Sequence, residues 1–128
     1  MRDEVSFSIR KLEDAFSRIK EGADSAADEL DKDGVIQRFE FTFELLWKTL
    51  KLFLDDQGIL TKSPKETIQE AFRFELIKNE EIFLYMLEDR NRTSHIYSQA
   101  DSEKIYDRIK TRYTEKIKNL LTRLKNQK

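Results

Sequence analysis

The sequence contains no cysteine, one histidine, one proline and three glycines in 128 residues. Without cysteine there is no disulfide framework, no thiolate nucleophile and no cysteine-based zinc site, and a single histidine excludes the common histidine-based zinc sites. The chain also lacks a glycine-rich phosphate loop, a dinucleotide fingerprint and the Glu-x-x-His pairs of di-iron bundles. We therefore predict a protein that uses no metal and no other cofactor.

Long hydrophobic runs and an excess of one charge are also missing. Lys and Arg number 24 and Asp and Glu number 25, which gives a formal net charge of −1. This balance argues against proteins that coat nucleic acid or membrane surfaces, but it leaves room for a small basic site. No apolar stretch approaches the roughly 18 residues that a membrane span needs, and the first four residues start no signal sequence. We expect a cytoplasmic protein that does not bind membranes.

Apolar residues recur at helical spacings of three and four along most of the chain. The first stripe runs from Val5 to Leu30, and Gly34 marks the predicted turn after it. The second helix is predicted from about Val35 to Asp56, with Gly58 as its stop signal.

Two capping patterns predict the starts of later helices, Ser63-Pro64-Lys65-Glu66 and Ser98-Gln99-Ala100-Asp101. The third helix is either continuous or broken at Asn79, and its predicted stripe contains Ile68, Ala71, Phe72 and Leu76. The last helix carries one stripe from Ile105 to Leu124. The predicted fold is all-α, a single domain over residues 1–128 that forms an up-and-down bundle of four main helices.

The second helix is apolar on two sides. Most of its large apolar residues cluster on one face, whereas Phe41, Leu45 and Leu52 lie on nearly the opposite face. Either a second subunit covers that face, or the helix is sandwiched within one bundle. We predict a homodimer with these three residues in its interface, because a small up-and-down bundle has few positions for a sandwiched helix.

Most of the reactive side chains lie in one segment, from Asp89 to Tyr97. It holds the only histidine, His95, together with Arg90, Asn91 and Arg92. Histidine can transfer a proton near neutral pH, and arginine can bind a phosphate with two parallel hydrogen bonds. Arg90 and His95 are five residues apart, about 140° around a regular helix, so they would not converge on one. Either the helix ends near His95, or the two residues act together across a two-fold axis.

A structural interpretation of the same residues is also open. His95 could cap helix carbonyls or pack beside an aromatic ring. Arg90 could pair with Glu88 or Asp89, and Arg92 could simply point to solvent. In that case the segment would have no chemical role.

Three segments carry a resemblance to a known family. Arg90-Asn91, followed by His95 and Tyr97, resembles the Arg-x4-6-His signature of the HEPN superfamily and the longer Arg-x4-His-x-Tyr form of its HepT-like toxins. Residues 39–50 and the helix start at Ser63 resemble the nucleotidyltransferase substrate-binding protein family, a branch of the same superfamily. The resemblance covers most of the chain, although Phe83 stands where a tryptophan is expected.

The resemblance implies a single HEPN-like helical-bundle domain that forms a homodimer. It also implies a partner, a minimal nucleotidyltransferase encoded nearby. In one implied function the chain is a metal-independent endoribonuclease, the toxin of a toxin–antitoxin pair in which the transferase is the antitoxin. In the other it is a non-catalytic subunit that binds substrate or nucleotide for the transferase. We take the ribonuclease as the main hypothesis and the binding subunit as the alternative.

The ribonuclease hypothesis gives each residue of the segment a role. Arg90, Asn91 and His95 are the catalytic residues: His95 acts as base or acid, Arg90 holds the phosphate, and Asn91 orients the histidine or a phosphate oxygen. Arg92 is a further contact to RNA phosphate. Tyr97 resembles the tyrosine that the partner transferase modifies with AMP in the toxin branch, and the added charge would block RNA entry.

Overall fold

The computed structural model describes residues 1–95 and 98–127, and these residues form helices and no strand. In chain order the elements are α1 (Asp3–Ser25), α2 (Glu29–Asp56), α3 (Pro64–Arg73), α4 (Glu80–Arg92), a 3-10 turn (Thr93–His95), α5 (Gln99–Arg108), a π-helical turn (Ile109–Tyr113) and α6 (Thr114–Lys125). None of these helices combines the length and the hydropathy that crossing a membrane would require. The predicted all-α bundle is confirmed, with its third helix broken into α3 and α4.

The first turn between helices lies earlier in the chain than the apolar pattern predicted. Gly34 lies inside α2 and not in a turn. The start of α2 is fixed by Asp28, whose side chain accepts a hydrogen bond from the backbone N–H of Asp31 at 2.8 Å. Leu30, the last residue of the predicted first stripe, is 79% exposed. An aspartate cap in this acidic segment therefore outweighs the apolar spacing that continues to Leu30.

The central helix of the bundle is α2, which packs against α1, α3, α4 and α5. Its fully buried face is the one that the periodicity predicted, and it includes Phe39, Phe43, Leu46, Leu50, Phe53 and Leu54. On the second face, Leu45 and Leu52 are partly buried against the same core. Sandwiching within one chain covers part of these two leucines, whereas Phe41 is 59% exposed. The homodimer stays a prediction, and Phe41 has the most surface left for a second subunit to bury.

Both predicted capping serines begin helices. Ser63 Oγ accepts a hydrogen bond from the Glu66 N–H at 3.2 Å, and Ser98 Oγ accepts one from the Asp101 N–H at 3.2 Å. Each bond satisfies a backbone donor that the first turn of a helix would otherwise leave unpaired. These two starts were therefore predicted correctly.

The break between α3 and α4 occurs at the predicted residue. Asn79 caps α4 by accepting a hydrogen bond from the Ile82 N–H at 3.4 Å. The chain reverses just before it, at Glu75, which has a φ of +68°. Leu76 is buried as predicted, but Phe72 is exposed, because the buried face of α3 is formed by Thr67, Ile68 and Ala71 and Phe72 lies at its edge.

The last helical segment consists of α5, the π-helical turn and α6 in succession. Its predicted stripe from Ile105 to Leu124 is buried throughout. The Tyr113 ring stacks on Phe39 of α2 with ring centroids 5.4 Å apart, and the Tyr106 hydroxyl donates to the Ala23 carbonyl at 2.8 Å. These contacts fix the segment against α1 and α2 and set the position of α5 beside the candidate site.

Candidate functional site

The predicted site lies where α4 ends. Arg90, Asn91 and Arg92 form the last turn of α4, and His95 ends the 3-10 turn that follows. The Thr93 hydroxyl donates to the Arg90 carbonyl at 2.6 Å, and thereby satisfies a carbonyl at the end of the helix. The helix thus ends before His95, but this break alone does not bring Arg90 and His95 together, because Arg90 does not line the cleft that His95 lines.

A cleft of about 460 Å³ opens between this turn and α5. One side is lined by three predicted site residues, Asn91, Arg92 and His95. The α5 side is lined by Asp101, Lys104, Ile105 and Arg108. A volume of this size is typical of small-molecule sites. Of the four predicted catalytic and phosphate-binding residues, three are therefore brought together in one cleft.

The fourth, Arg90, does not line this cleft, and its guanidinium forms an ion pair with Glu44 of α2. Glu44 also accepts a hydrogen bond from Trp47 Nε1 at 3.1 Å and lies 3.7 Å from Lys48 Nζ. Arg90 Nη1 donates to the side-chain oxygen of Asn91 at 3.0 Å. The position of Arg90 is therefore set by α2, and its connection to the cleft runs through Asn91.

Asp89, the residue before Arg90, is a buried carboxylate whose side chain is 1% exposed. Arg108 donates to both of its oxygens, from Nε at 2.7 Å and from Nη2 at 2.8 Å. Arg92 Nη1 donates to it at 2.9 Å, and the Tyr113 hydroxyl donates at 2.5 Å. A charge is tolerated in such a place only when it is paired and hydrogen-bonded. Asp89 thereby holds both arginines that line the cleft.

These contacts also set the ionisation of the buried pair. Burial alone would raise the pKa of Asp89, but the hydrogen bonds from Arg108 and Tyr113 outweigh burial and lower this pKa below its usual value. Burial and the hydrogen bond to Asp89 raise the pKa of Tyr113. Near neutral pH, Asp89 is therefore a charged anchor and Tyr113 is a neutral donor, and neither is suited to proton transfer.

If the segment were purely structural, Arg90 was expected to pair with Glu88 or Asp89, and the structure assigns these ion pairs to another arginine. Arg92, and not Arg90, pairs with Glu88 at 3.3 Å and with Asp89 at 2.9 Å. Arg92 is nevertheless exposed and lines the cleft. It is therefore both a structural and an accessible residue, and it does not simply point to solvent.

His95 is exposed at the cleft. Its ring makes no hydrogen bond to any residue in the ranges 1–95 and 98–127, so a capping role is not seen there. Tyr97, the predicted acceptor of AMP, lies outside the described residues. The described residues also contain no group of three or more His, Asp or Glu side chains that could hold a metal ion.

The residues that support the site were missed by sequence reasoning: Glu44, Asp89, Lys104, Arg108 and Tyr113. A signal existed for Asp89, because it continues the buried stripe of Phe83 and Met86 at three-residue spacing. A charged residue at a core position implies buried partners. The sequence offered no comparable signal for Glu44, whose partner Arg90 lies on a different helix.

Comparisons with known proteins identify relatives of the chain. Residues 5–126 match the family described as nucleotidyltransferase substrate binding protein like. A curated relative, the probable ribonuclease HepT of Haemophilus influenzae, is 36% identical over 81 residues, which cover 59% of this chain and 56% of that protein. The match thus spans little more than half the length of that relative.

Two solved structures share the fold over most of both chains. A crystal structure of a Thermus thermophilus protein has a TM-score of 0.84 and 32% identity, and the match covers 90% of this chain and 99% of that one. A Haemophilus influenzae structure, described as revealing the fold of a substrate binding domain of a nucleotidyltransferase, has a TM-score of 0.64 and 26% identity over 97% and 98% of the two chains. As its three matching segments predicted, the chain belongs to the nucleotidyltransferase substrate-binding protein-like family.

Proposed function

We propose that this chain is an HEPN-type partner subunit of a minimal nucleotidyltransferase and that it acts as a metal-independent ribonuclease, the toxin of a toxin–antitoxin pair. The observation that carries the proposal is the cleft in which His95, Asn91 and Arg92 lie together with Lys104 and Arg108 of α5. A ring that can transfer protons, beside cations that can bind phosphate, suits RNA cleavage without a metal. The name of the curated relative, probable ribonuclease HepT, supports the same proposal.

The proposed reaction is an internal transfer at an RNA phosphodiester. A base removes the proton of the ribose 2′-hydroxyl, and the 2′-oxygen attacks the neighbouring phosphorus. The bond from phosphorus to the 5′-oxygen breaks, and that oxygen takes up a proton. His95 serves as the base or as the acid of this exchange. The products are a 2′,3′-cyclic phosphate and a 5′-hydroxyl, so DNA, which lacks the 2′-hydroxyl, is not a substrate.

The arginines stabilise the negative charge on the phosphate. Arg92 lines the cleft and can contact the RNA directly. Arg90 reaches the phosphate either by exchanging Glu44 for the RNA, or from a second protomer across a two-fold axis. Asn91 accepts a hydrogen bond from Arg90 and lines the cleft, so it is placed to orient the histidine or a phosphate oxygen.

A homodimer would bring two sets of these residues into one active site. The proposed interface consists of Phe41, Leu45 and Leu52 of α2, with the exposed ring of Phe41 as its main contact. The mass of the protein in solution tests this. Wild type should be dimeric at micromolar concentration, Phe41→Asp should be a folded monomer, and Lys51→Asp, an exposed position on another face of α2, should remain dimeric. A monomeric wild type would remove the basis for a shared site.

The proposed partner is a nucleotidyltransferase, which the description of the family supports. Transfer of AMP to Tyr97, two residues after His95 in the sequence, would add negative phosphate charge and would block RNA entry. After co-expression with the partner, the chain should gain the mass of an added AMP. The gain should vanish in Tyr97→Phe and persist in Tyr85→Phe, which changes an exposed tyrosine of α4.

The alternative is a non-catalytic subunit that binds a substrate or a nucleotide for the transferase. The cleft favours it in one respect, since about 460 Å³ with the apolar side chain of Ile105 beside cationic groups would suit a nucleotide. The Haemophilus influenzae structure described as a substrate binding domain supports the same candidate. In this case the transferase would modify its acceptor only when this chain is present.

RNA cleavage in excess chelator tests the main proposal. The purified wild type, free of its partner, should cleave RNA, and His95→Ala should lose about 100-fold or more of this activity. Ser94→Ala is the control, because Ser94 is exposed and does not line the cleft. Cleavage that disappears with chelator, or that survives in His95→Ala, would indicate a contaminating nuclease. A wild type that is inert toward RNA would favour the binding subunit.

A further inference from the structure

The π-helical turn brings together two side chains that a regular helix would separate. Arg108 and Tyr113 are five residues apart, about 140° around an α-helix. In this turn the Thr114 N–H bonds to the carbonyl of Ile109, so one extra residue is accommodated in the turn. Arg108 and Tyr113 consequently reach the same carboxylate of Asp89, at 2.7 and 2.5 Å.

Asp89 occupies one edge of the Arg108 guanidinium. Nε and Nη2 both donate to Asp89, at 2.7 and 2.8 Å. A guanidinium carries five N–H donors in a rigid planar fork, so the two donors of Nη1 take no part in this clamp. Arg108 keeps 30% of its side chain exposed, and it lines the cleft that His95 also lines. The clamp fixes the plane of the group and leaves an edge for a ligand.

The charges around the cleft nearly cancel. Three cations line the cleft: Arg92, Lys104 and Arg108. Three acids balance them, because Asp101 also lines the cleft and Glu88 and Asp89 form ion pairs with its arginines. A broad positive field, which would attract any polyanion, is therefore not what this surface offers. Directed donors on a fixed guanidinium are better suited to holding one phosphate in one place.

We infer that Arg108 is a phosphate-binding residue of the cleft and contacts one backbone phosphate of bound RNA, with Asp89 and Tyr113 as its positioning residues. The inference rests on the proposed function, because it takes RNA to be the ligand. Asp89 and Tyr113 do not touch the RNA; they act by fixing the guanidinium plane. Since His95 lies at the same cleft, the phosphate that Arg108 holds is the one cleaved or its neighbour.

The test compares Arg108→Gln with Arg112→Gln. The first change keeps an N–H donor toward Asp89 and removes the charge. Arg112 belongs to the same π-helical turn, is exposed and does not line the cleft, so the second change is a matched control. The probe is a fluorescently labelled, fully 2′-O-methylated oligoribonucleotide, which has no free 2′-hydroxyl and cannot be cleaved. Its dissociation constant is measured by fluorescence anisotropy over a range of salt concentrations.

Arg108→Gln should weaken binding about tenfold at low salt, the effect of losing one charge-assisted hydrogen-bonded contact. It should also lower the slope of log affinity against log salt by about 0.7, the value for one phosphate contact on a single strand. Arg108→Lys should keep most of that slope, because it keeps the charge. Arg112→Gln should match wild type. A residue with a purely structural role would alter thermal stability and leave the slope unchanged, and that result would overturn the inference.

A second measurement does not depend on the folding of any variant. In wild type, the Arg108 Nε–H bonds to a buried carboxylate, so its NMR signal should be protected from solvent exchange and should shift when the probe binds. A signal that stays in place at saturating probe contradicts the inference. If wild type binds the probe and cleaves unmodified RNA while Arg108→Gln behaves identically, the inference alone is wrong. If wild type neither binds nor cleaves RNA, the proposed ribonuclease function is wrong as well.

Discussion

Two carboxylates hold the arginines of the site, and they do so in different surroundings. Asp89 has 1% of its side chain exposed and accepts hydrogen bonds from two arginines and a tyrosine. Glu44 has 32% of its side chain exposed, pairs with Arg90 and accepts a hydrogen bond from Trp47. The first is a closed cluster inside the bundle, and the second is a partly exposed pair between α2 and α4 in which the Glu44 oxygen that faces Arg90, Oε1, is itself buried.

Because of these different surroundings, the arginines held by Asp89 and the arginine held by Glu44 differ in how easily they can change partners. A buried carboxylate cannot lose its partner without leaving a charge unpaired, whereas at a partly exposed one water can replace the partner. We therefore expect Arg108 to stay fixed beside the cleft and Arg90 to leave Glu44 when a phosphate arrives. Arg108 would then bind a phosphate of the RNA, and Arg90 would stabilise the negative charge that develops during the reaction.

Substituting the two acids should produce the greatest change of all, in the free energy of unfolding. Asp89→Asn should lower the free energy of unfolding by about 3 kcal/mol, because it leaves buried donors without their charged acceptor. Glu44→Gln should lower it by about 1 kcal/mol or less. Urea unfolding followed by circular dichroism, at one protein concentration, measures both. Equal losses would show that the two acids are not different in kind.

Acid pH should remove the same contribution gradually. The pKa of Asp89 is lower in the folded protein than in the unfolded chain, where it is about 3.9, so the unfolded chain binds more protons at low pH and acid favours unfolding. The stability contributed by Asp89 should be complete above about pH 5 and should fall as the pH drops through the lowered pKa. Unfolding free energies of wild type and Asp89→Asn should approach each other as the pH falls below the pKa of the unfolded chain, and parallel curves would contradict this.

A smaller effect is expected at the two buried tyrosine hydroxyls. Tyr113→Phe removes a hydrogen bond to the charged Asp89 and should cost about 2 kcal/mol. Tyr106→Phe removes one to the neutral Ala23 carbonyl and should cost about 1 kcal/mol. Both substitutions keep the aromatic ring, so the difference between their unfolding free energies reflects the charge of the hydrogen-bond acceptor. A larger loss in Tyr106→Phe would indicate that Asp89 gains little from its third partner.

The smallest effect is expected on catalysis at Glu44. Glu44→Gln weakens the hold on Arg90, so kcat for RNA should rise by about twofold or less while the KM stays nearly unchanged. Arg90→Ala, the comparison variant, should lower kcat severely. Steady-state cleavage of one RNA substrate measures both. A loss of kcat in Glu44→Gln as large as in Arg90→Ala would mean that this ion pair must stay intact during the reaction.

The bundle was predictable from the sequence because helical periodicity and capping are local. The serine caps and the buried stripe of the last helix needed only neighbouring residues to recognise. The predicted position of the first turn was wrong because two local signals conflict there. The cap formed by Asp28 competes with an apolar spacing that continues to Leu30. The π-helical turn left a trace: Ile105, Ile109 and Tyr113 are spaced by four, which exceeds the roughly 3.6 residues of a regular turn.

Only those residues of the site that lie together in one segment of the chain were predictable from the sequence. His95, Asn91 and Arg92 were found by their chemistry, and the structure places all three at one cleft. The partners that fix them are distant in sequence, as Glu44 and Arg108 are, and depend on how helices pack. No spacing rule within a segment contains that information.

The chemical identity of the RNA ends is the sharpest test of metal-independent cleavage by His95. Wild-type protein is incubated with RNA in excess chelator, and mass spectrometry identifies the termini of the fragments. We predict 2′,3′-cyclic phosphates with 5′-hydroxyls, no cutting on the 3′ side of a 2′-deoxy residue, and about 100-fold fewer fragments from His95→Ala. Fragments with 3′-hydroxyl and 5′-phosphate ends, or cutting on the 3′ side of a 2′-deoxy residue, would contradict this mechanism.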